Sequence, residues 1–579
     1  MKPFLPEDLV PKSFVNQFGS MIKCAVGGWD RLRFHASLRP LFSPQWMRTY
    51  LCAAKVRLVD FAGHAQALTE RIRQAALNTA LAAGRPYHFL RSSQISKEDF
   101  IEDIARRDRV RSGLIAVLAA VEPCLALTVR GQRDRRWLAP VLEQRKCLHL
   151  YHYYEHPVVG RCHVRLQTWY PFSVDICLNG RLWLAKQMDA AGLAYRRADN
   201  CFIDLADPAR AQALADAQHQ THWLPLLNGL LAPAHPLQEE ILQPFPNLAY
   251  YWSATQTEYA TDLLFHKAED LARLYRAFVL HGRCTFQSPD IRRFLGHRVP
   301  VTTGRVDARF QGDVRTDVRR RHEGVCLKHR AGYNGQKAYD KFWNLRRVEN
   351  TINRPEVFTV YRAAPTPDTQ SHDTTMPRVP APLPPSPRAR TPRPPQSLPP
   401  NPQARLTSRV PPTPPQRAWR PLRRSVTDLP RRAEVSRAAN HRFLDALSST
   451  QVGTPLGQAA APLCRPLTHD GHRYRALQPF GADALLLRAL SRGEWTIAGL
   501  RNRDLQGHLY ASEPRDKKTA RRRSAAVGRT LRLLRAHGLL RKLPHTHRYL
   551  VTESGRAILT ALVAAPEAST EKLTLAMAA

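Results

Sequence analysis

The chain has 579 residues, with 87 Lys and Arg against 48 Asp and Glu, for a formal net charge of +39 and a pI near 10.6. Such a field calls for a polyanionic partner, most simply nucleic acid, with an anionic membrane surface as the weaker fit. No apolar run is long enough to span a bilayer, and the opening MKPFLPEDLVPKSF lacks the charged-then-apolar pattern of a secretory signal.

Residues 1–362 alternate strand-like and helix-like segments, which predicts a mixed α/β core within an α+β fold. RLRFHASL (31–38) sets Arg31, Arg33 and His35 against Leu32, Phe34 and Leu38, the alternation of a half-buried strand. Ser43-Pro44 opens a helix over 43–56, with Pro44 at its first position. Residues 63–83 are rich in Ala and Leu and read as a helix, and Ser96 followed by Glu98 and Asp99 starts another. GLIAVLAAV (113–121) fits a buried strand or a buried helix equally well. Residues 147–188 read as three strands with a turn at 157–160, followed by a helix that ends by Gly192. NCFIDL (200–205) is a further strand, with Asp207-Pro208 opening a helix. These patterns allow two subdomains divided near residue 145, and no internal repeat is visible.

Ten cysteines are scattered from Cys24 to Cys464 without a C-x-x-C pair. That favours a reducing, cytoplasmic setting and argues against a disulfide framework or a zinc ribbon. From 363 to 417 the chain is rich in Pro and Arg, and 19 of the 46 prolines lie between 364 and 421. This composition predicts a disordered, extended tether. A helical connector is expected over 418–480 and a disordered tail over 566–579.

Residues 481–565 read as three helices (482–495, 496–509 capped by Thr496, and 517–540), two short strands in 539–552 and a closing helix. Val527, Leu531 and Leu534 mark the buried side of the third helix. Fourteen Lys and Arg stand against three Asp and Glu between Arg501 and Arg548. Arg521, Arg522 and Arg523 open the third helix, Arg529 and Arg532 follow on its outer side, and Arg541, Lys542, His547 and Arg548 decorate the two strands. LRLLRAHGLLRKLPHTHRYLVTESGR resembles the winged helix-turn-helix of MarR-like transcription regulators. The resemblance implies that the third helix enters a major groove by its N-terminal part. Most contacts would go to phosphate, which makes affinity salt-dependent. A homodimer is compatible with it, though no dimerisation stripe stands out.

LKHRAGYNGQKAYDKFWNLRRVENTIN (327–353) reads as paired strands. Lys337, Tyr339 and Lys341 share one side, and Arg347, Glu349 and Thr351 share another, so antiparallel pairing would gather them in one polar patch. Lys328 and Arg330 extend it. K-x-Y-D-K followed by an Arg- and Glu-bearing strand resembles the replication initiators of rolling-circle plasmids and filamentous phages. That resemblance implies strand cleavage by a tyrosine with a divalent metal. It makes Glu349 a candidate catalytic residue and metal ligand, with Mg²⁺ or Mn²⁺ as cofactor, and Lys328, Arg330, Lys337, Lys341 and Arg347 candidate phosphate contacts. Tyr339 is the tyrosine at hand, although the tyrosine of this strand is not clearly the attacking one in those families. No His-hydrophobic-His pair is present. Glu258, Asp262, Asp313 and Asp317 are further acidic candidates. His149 and His152 fall on opposite faces of their strand.

More broadly, GWDRLRFHASL, KCLHLYHYYEHPVVGRCHVRLQTWYPF and the 328–353 stretch, with the tail, resemble a family of bacterial proteins of undefined function. Members often occur in many copies per genome, and the multiplicity implies a relation to mobile elements. Three readings follow. The first is a DNA-binding protein that needs no cofactor. The second is a metal-dependent initiator- or transposase-like nickase. The third is an RNA-binding or scaffold protein that stacks bases on Tyr151, Tyr153, Tyr154, Trp169 and Tyr170.

Overall fold

The computed structural model describes residues 3–567 except 93–94, 133–136, 246, 287, 298–313, 322–323, 343, 364–416, 451–455, 492–494, 496–498, 511 and 544–545. The tether expected over 363–417, Asp313, Thr496 and the tail from 568 therefore lie wholly or almost wholly outside the described residues.

The fold is α+β, built on one 11-stranded sheet. Its strands are β1 (Ile22–Ser37), β2 (Tyr87–Leu90), β3 (Gly113–Gln132), β4 (Trp137–His156), β5 (Gly160–Gln167), β6 (Val174–Asn179), β9 (Tyr251–Phe265), β10 (Val314–Arg321), β11 (Gly324–Ala331), β12 (Asn334–Lys341) and β13 (Leu345–Ile352). Strands β7 (Tyr195–Ala198) and β8 (Cys201–Leu205) form a separate hairpin. The spatial order is β10-β11-β12-β13-β9-β1-β6-β5-β4-β3-β2. All neighbours are antiparallel except β2 and β3.

This order contains a repeat that the sequence hides. From β1 the chain passes through helices and the edge strand β2, which has no counterpart among the described residues of the second half, then runs a four-strand meander, β3 to β6, whose last strand returns to pair with β1. From β9 it again passes through helices and runs a meander, β10 to β13, whose last strand pairs with β9. The antiparallel β1–β9 pair joins the halves. The division expected near residue 145 falls inside β4 of this continuous sheet. The ambiguous 113–121 segment is strand β3, whose pairing with β4 decides what periodicity could not.

One face of the sheet carries the core. In the first half, α2 (Pro44–Ala53), α3 (Phe61–Ala82) and α7 (Trp223–Leu231) pack on Leu32, Phe34 and Ala36. In the second half, α9 (Ala268–Cys284), α10 (Ser288–Leu295) and α11 (Leu429–Leu447) pack on Leu263, Leu327 and Val348. The opposite face is polar near its centre and is partly covered by α4 (Lys97–Arg107), α5 (Gly180–Ala190) and α6 (Pro208–Ala217). Helix starts follow local chemistry. Ser96 Oγ accepts from Asp99 N, and Asp207 Oδ1 accepts from Arg210 N.

The 418–480 stretch is more than a helical connector. Strand β15 (Arg417–Pro421) pairs with β14 (Thr359–Ala363), which brings Ala363 and Arg417 opposite each other. Helix α11 then lies against the sheet, where Asn440 Nδ2 donates to Val348 O at 3.0 Å. The chain on both sides of the proline-rich segment thus belongs to the same folded unit.

The C-terminal unit has its own core. Its helices are α13 (Ala484–Leu490), α14 (Asn502–Leu509), α15 (Lys517–Ala536) and α16 (Glu553–Ala564), with strands β18 (Leu540–Lys542) and β19 (Tyr549–Val551) between the last two helices. The second helix starts later than expected, behind Arg501, whose amide donates to Asp504 Oδ2 at 2.8 Å. Val527, Leu531 and Leu534 are buried as the spacing predicts, and α15 ends before Gly538, whose φ of +72° suits glycine.

Candidate functional site

The polar face gathers its charge where β12, β13, β9 and β1 lie side by side. Tyr339 stands opposite Arg347 and Lys337 opposite Glu349. Arg347 faces Asp262, and Glu349 faces Ala260. Glu258 faces Arg31. Asp30 sits in the bulge where the β1–β9 register steps from Trp29/Tyr259 to Arg31/Glu258. The bulge adds Asp30 to the group, so that one oxygen each of Asp30, Glu258 and Glu349 lies within 4.8 Å of the others. All three are buried, at 4%, 6% and 2% exposure.

Cations hold these carboxylates in place. Lys337 Nζ donates to Glu349 Oε1 at 2.6 Å and stands 3.8 Å from Glu258 Oε1. Tyr339 Oη donates to the other Glu349 oxygen at 2.9 Å. Arg347 forks onto Asp262 at 2.7 and 2.9 Å and reaches Asp30 Oδ1 at 2.9 Å. Arg181 from α5 adds a 3.1 Å contact to Asp262. That approach depends on Gly180, where a Cβ would meet Trp29 O at 2.3 Å. Asn200 of the β7–β8 turn donates to Asp30 Oδ1 at 2.9 Å.

The environment separates the carboxyls. Burial pushes Asp30 and Glu258 above the ordinary carboxylate range, although Arg347 and Lys337 oppose it. Burial acts on Glu349 too, but Lys337 and Arg347 outweigh it and hold Glu349 below that range. Burial beside Glu349 drives the Tyr339 hydroxyl well upward. Tyr339 is therefore a neutral hydrogen-bond donor to Glu349 here.

The sequence-derived residues divide clearly. Glu349, Tyr339, Lys337 and Arg347 come together as expected, joined by Glu258 and Asp262. Two of the candidate phosphate contacts are buried: Lys341 is 3% exposed and held by Asp199 and Asn200, while Arg347 is fully buried among carboxylates. Lys337 is likewise engaged. Lys328 and Arg330 lie on the same face of the sheet, half-buried and exposed respectively. Asp317 lies opposite Lys328 on β10. Asp30, Asn200 and Arg181 were missed. Asp30 precedes the alternating 31–38 run, and the bulge that turns it inward leaves no periodic signal. A lone acid in GGWDRLRF was the one available hint.

Beside the cluster opens a cleft of about 830 Å³ lined in part by Arg31, Arg33, His163, Asn179, Asp199 and Asn200. Through Arg31 and Asn200 it borders the carboxylates. The aromatic residues first considered for base stacking do not line an open surface as a group. Tyr151, Tyr153 and Tyr170 are 7%, 3% and 1% exposed and belong to the core. His149 is fully buried, with Nδ1 3.0 Å from Cys147 O.

In the C-terminal unit, Arg521, Arg522, Arg529, Arg532, Arg541, Lys542 and His547 are exposed. Arg523 is half-buried: it donates to Ser512 O and lies 4.6 Å from the Tyr510 ring. Arg548 is half-buried on the approach to β19. No helix among the described residues is long and apolar enough to cross a membrane. Comparison with family models, curated proteins and solved structures returned no match.

Proposed function

We propose that this chain is a nucleic-acid-binding protein that holds double-stranded DNA through a C-terminal winged helix spanning 481–565. The observation that carries this reading is the two-sided character of α15. Val527, Leu531 and Leu534 bury one side, while Arg521, Arg522, Arg529 and Arg532 are exposed. The N-terminal half of such a helix is the part that docks in a major groove, and the β18–β19 pair with Arg541 and Lys542 is a wing suited to the adjoining phosphates. The test is duplex affinity as a function of salt for an Arg521→Ala/Arg522→Ala/Arg529→Ala variant. The expected result is weaker binding with a log–log salt slope reduced by roughly two to three. An unchanged slope overturns the reading.

A second reading, a metal-dependent strand-cleaving enzyme of the replication-initiator or transposase kind, is favoured by one observation. The Asp30–Glu258–Glu349 oxygens converge beside a tyrosine hydroxyl and an open cleft. Hard oxygen donors at this spacing suit Mg²⁺ or Mn²⁺, and such a cation would offset charge on a phosphodiester. Lys337 already occupies the Glu258–Glu349 side of the group, so a divalent ion would sit toward Asp30 or displace the ammonium. Incubation with Mn²⁺ and both supercoiled and single-stranded DNA tests this reading. Nicks that vanish in a Glu349→Gln variant that keeps its duplex binding support it, and intact DNA overturns it.

A further inference from the structure

Strands β14 and β15 present a feature unlike any other on the described surface. Tyr361 and Trp419 are cross-strand partners with ring centroids 5.7 Å apart. They are 56% and 64% exposed. The pair lies on the side of the ladder away from its apolar cluster. The other side of the ladder places Val360 against Ile352, Phe358 and Leu422. Arg417, two residues before Trp419 and hence on the same side of the strand, is exposed as well.

The surroundings are strongly basic. Residues 354–362 and 417–432 carry eight arginines and only two acids, Glu356 and Asp428. Asp428 is fully buried and ion-paired with Arg362, Arg423 and Arg431. Glu356 pairs with Arg424 at 2.8 Å. The outward field is therefore positive around an open aromatic pair. A duplex answers the charge but keeps its bases stacked inside. An acidic peptide answers the charge but offers few π faces. A proline-rich peptide suits the rings but brings no negative charge. An unpaired nucleic-acid strand supplies both phosphates and exposed bases.

We propose that Tyr361 and Trp419, with Arg417, form a binding platform for single-stranded nucleic acid. This site is separate from the duplex contact assigned to α15. The test uses the full chain with fluorescently labelled oligothymidylate and oligouridylate of equal length, and a duplex of the same length as control. Tyr361→Ala/Trp419→Ala is expected to weaken single-strand binding on the order of tenfold or more, since stacking contributes about 1–3 kcal/mol per base. Tyr361→Phe/Trp419→Phe should retain most of the affinity, and duplex binding should stay unchanged in both variants. Loss with one oligonucleotide and not the other would assign the platform to that backbone. Unaltered single-strand affinity in the alanine variant overturns the proposal. So does tighter binding, which would make the platform the seat of the chain's own prolines, and so does an equal loss on the duplex.

Discussion

Lys337 on β12 and Glu349 on β13 stand directly opposite each other and share a 2.6 Å ion pair at 17% and 2% side-chain exposure. Glu349 is held there whether or not chemistry takes place, so its loss has a structural cost. Removing one member of a buried pair strands the other in a low-dielectric site. Glu349→Ala is expected to lower unfolding free energy by about 3–5 kcal/mol in urea denaturation. Lys337→Met/Glu349→Leu should recover much of that loss, which separates a charge effect from a packing effect.

Divalent ions give an independent readout of the same cluster. If Mn²⁺ binds the native carboxylates, it raises Tm in proportion to the logarithm of its concentration above Kd. Asp30→Asn and Glu258→Gln should each remove the Mn²⁺-dependent rise. A rise that persists in both variants would place the ion elsewhere.

Neighbouring arginines on α15 are expected to behave differently. Arg522→Ala changes an exposed side chain and should leave Tm within about a degree while weakening duplex binding. Arg523 secures Ser512 O and covers the Tyr510 ring, so Arg523→Ala should lower Tm by several degrees. Thermal melts alongside binding curves distinguish the two.

Acid should destabilise the fold through its neutral histidines. Burial lowers His152, His235 and His329 to about 4. Between that value and the ordinary 6.5 the unfolded chain binds more protons than the native one, so stability falls as pH drops through this window. Above pH 7 these residues contribute no pH dependence. Tm measured from pH 7.5 to 4.5 should decline, and His152→Leu should flatten the decline. A Tm that holds steady down to pH 5 refutes this.

The sequence made some features legible because local chemistry alone decides them. The polar alternation of 336–352 announced a hairpin and grouped Tyr339 with Glu349. Val527, Leu531 and Leu534 announced the buried side of α15. Other features depend on distant partners. Asp30 meets Glu349 only because β9 lies between their strands and a bulge shifts the phase of β1. Arg347 reads as a surface cation until Asp262 and Asp30 surround it. The repeated strand topology leaves no trace in residue types, since any apolar residue of suitable size serves in either half.

The β14–β15 ladder has a consequence for how the molecule would come apart. Ala363 and Arg417 face each other across it, and α11 beyond it is bound into the sheet through Asn440. A protease that cuts anywhere within 364–416 should therefore yield two bands on a denaturing gel but a single particle by gel filtration. The second fragment would complete the first in trans.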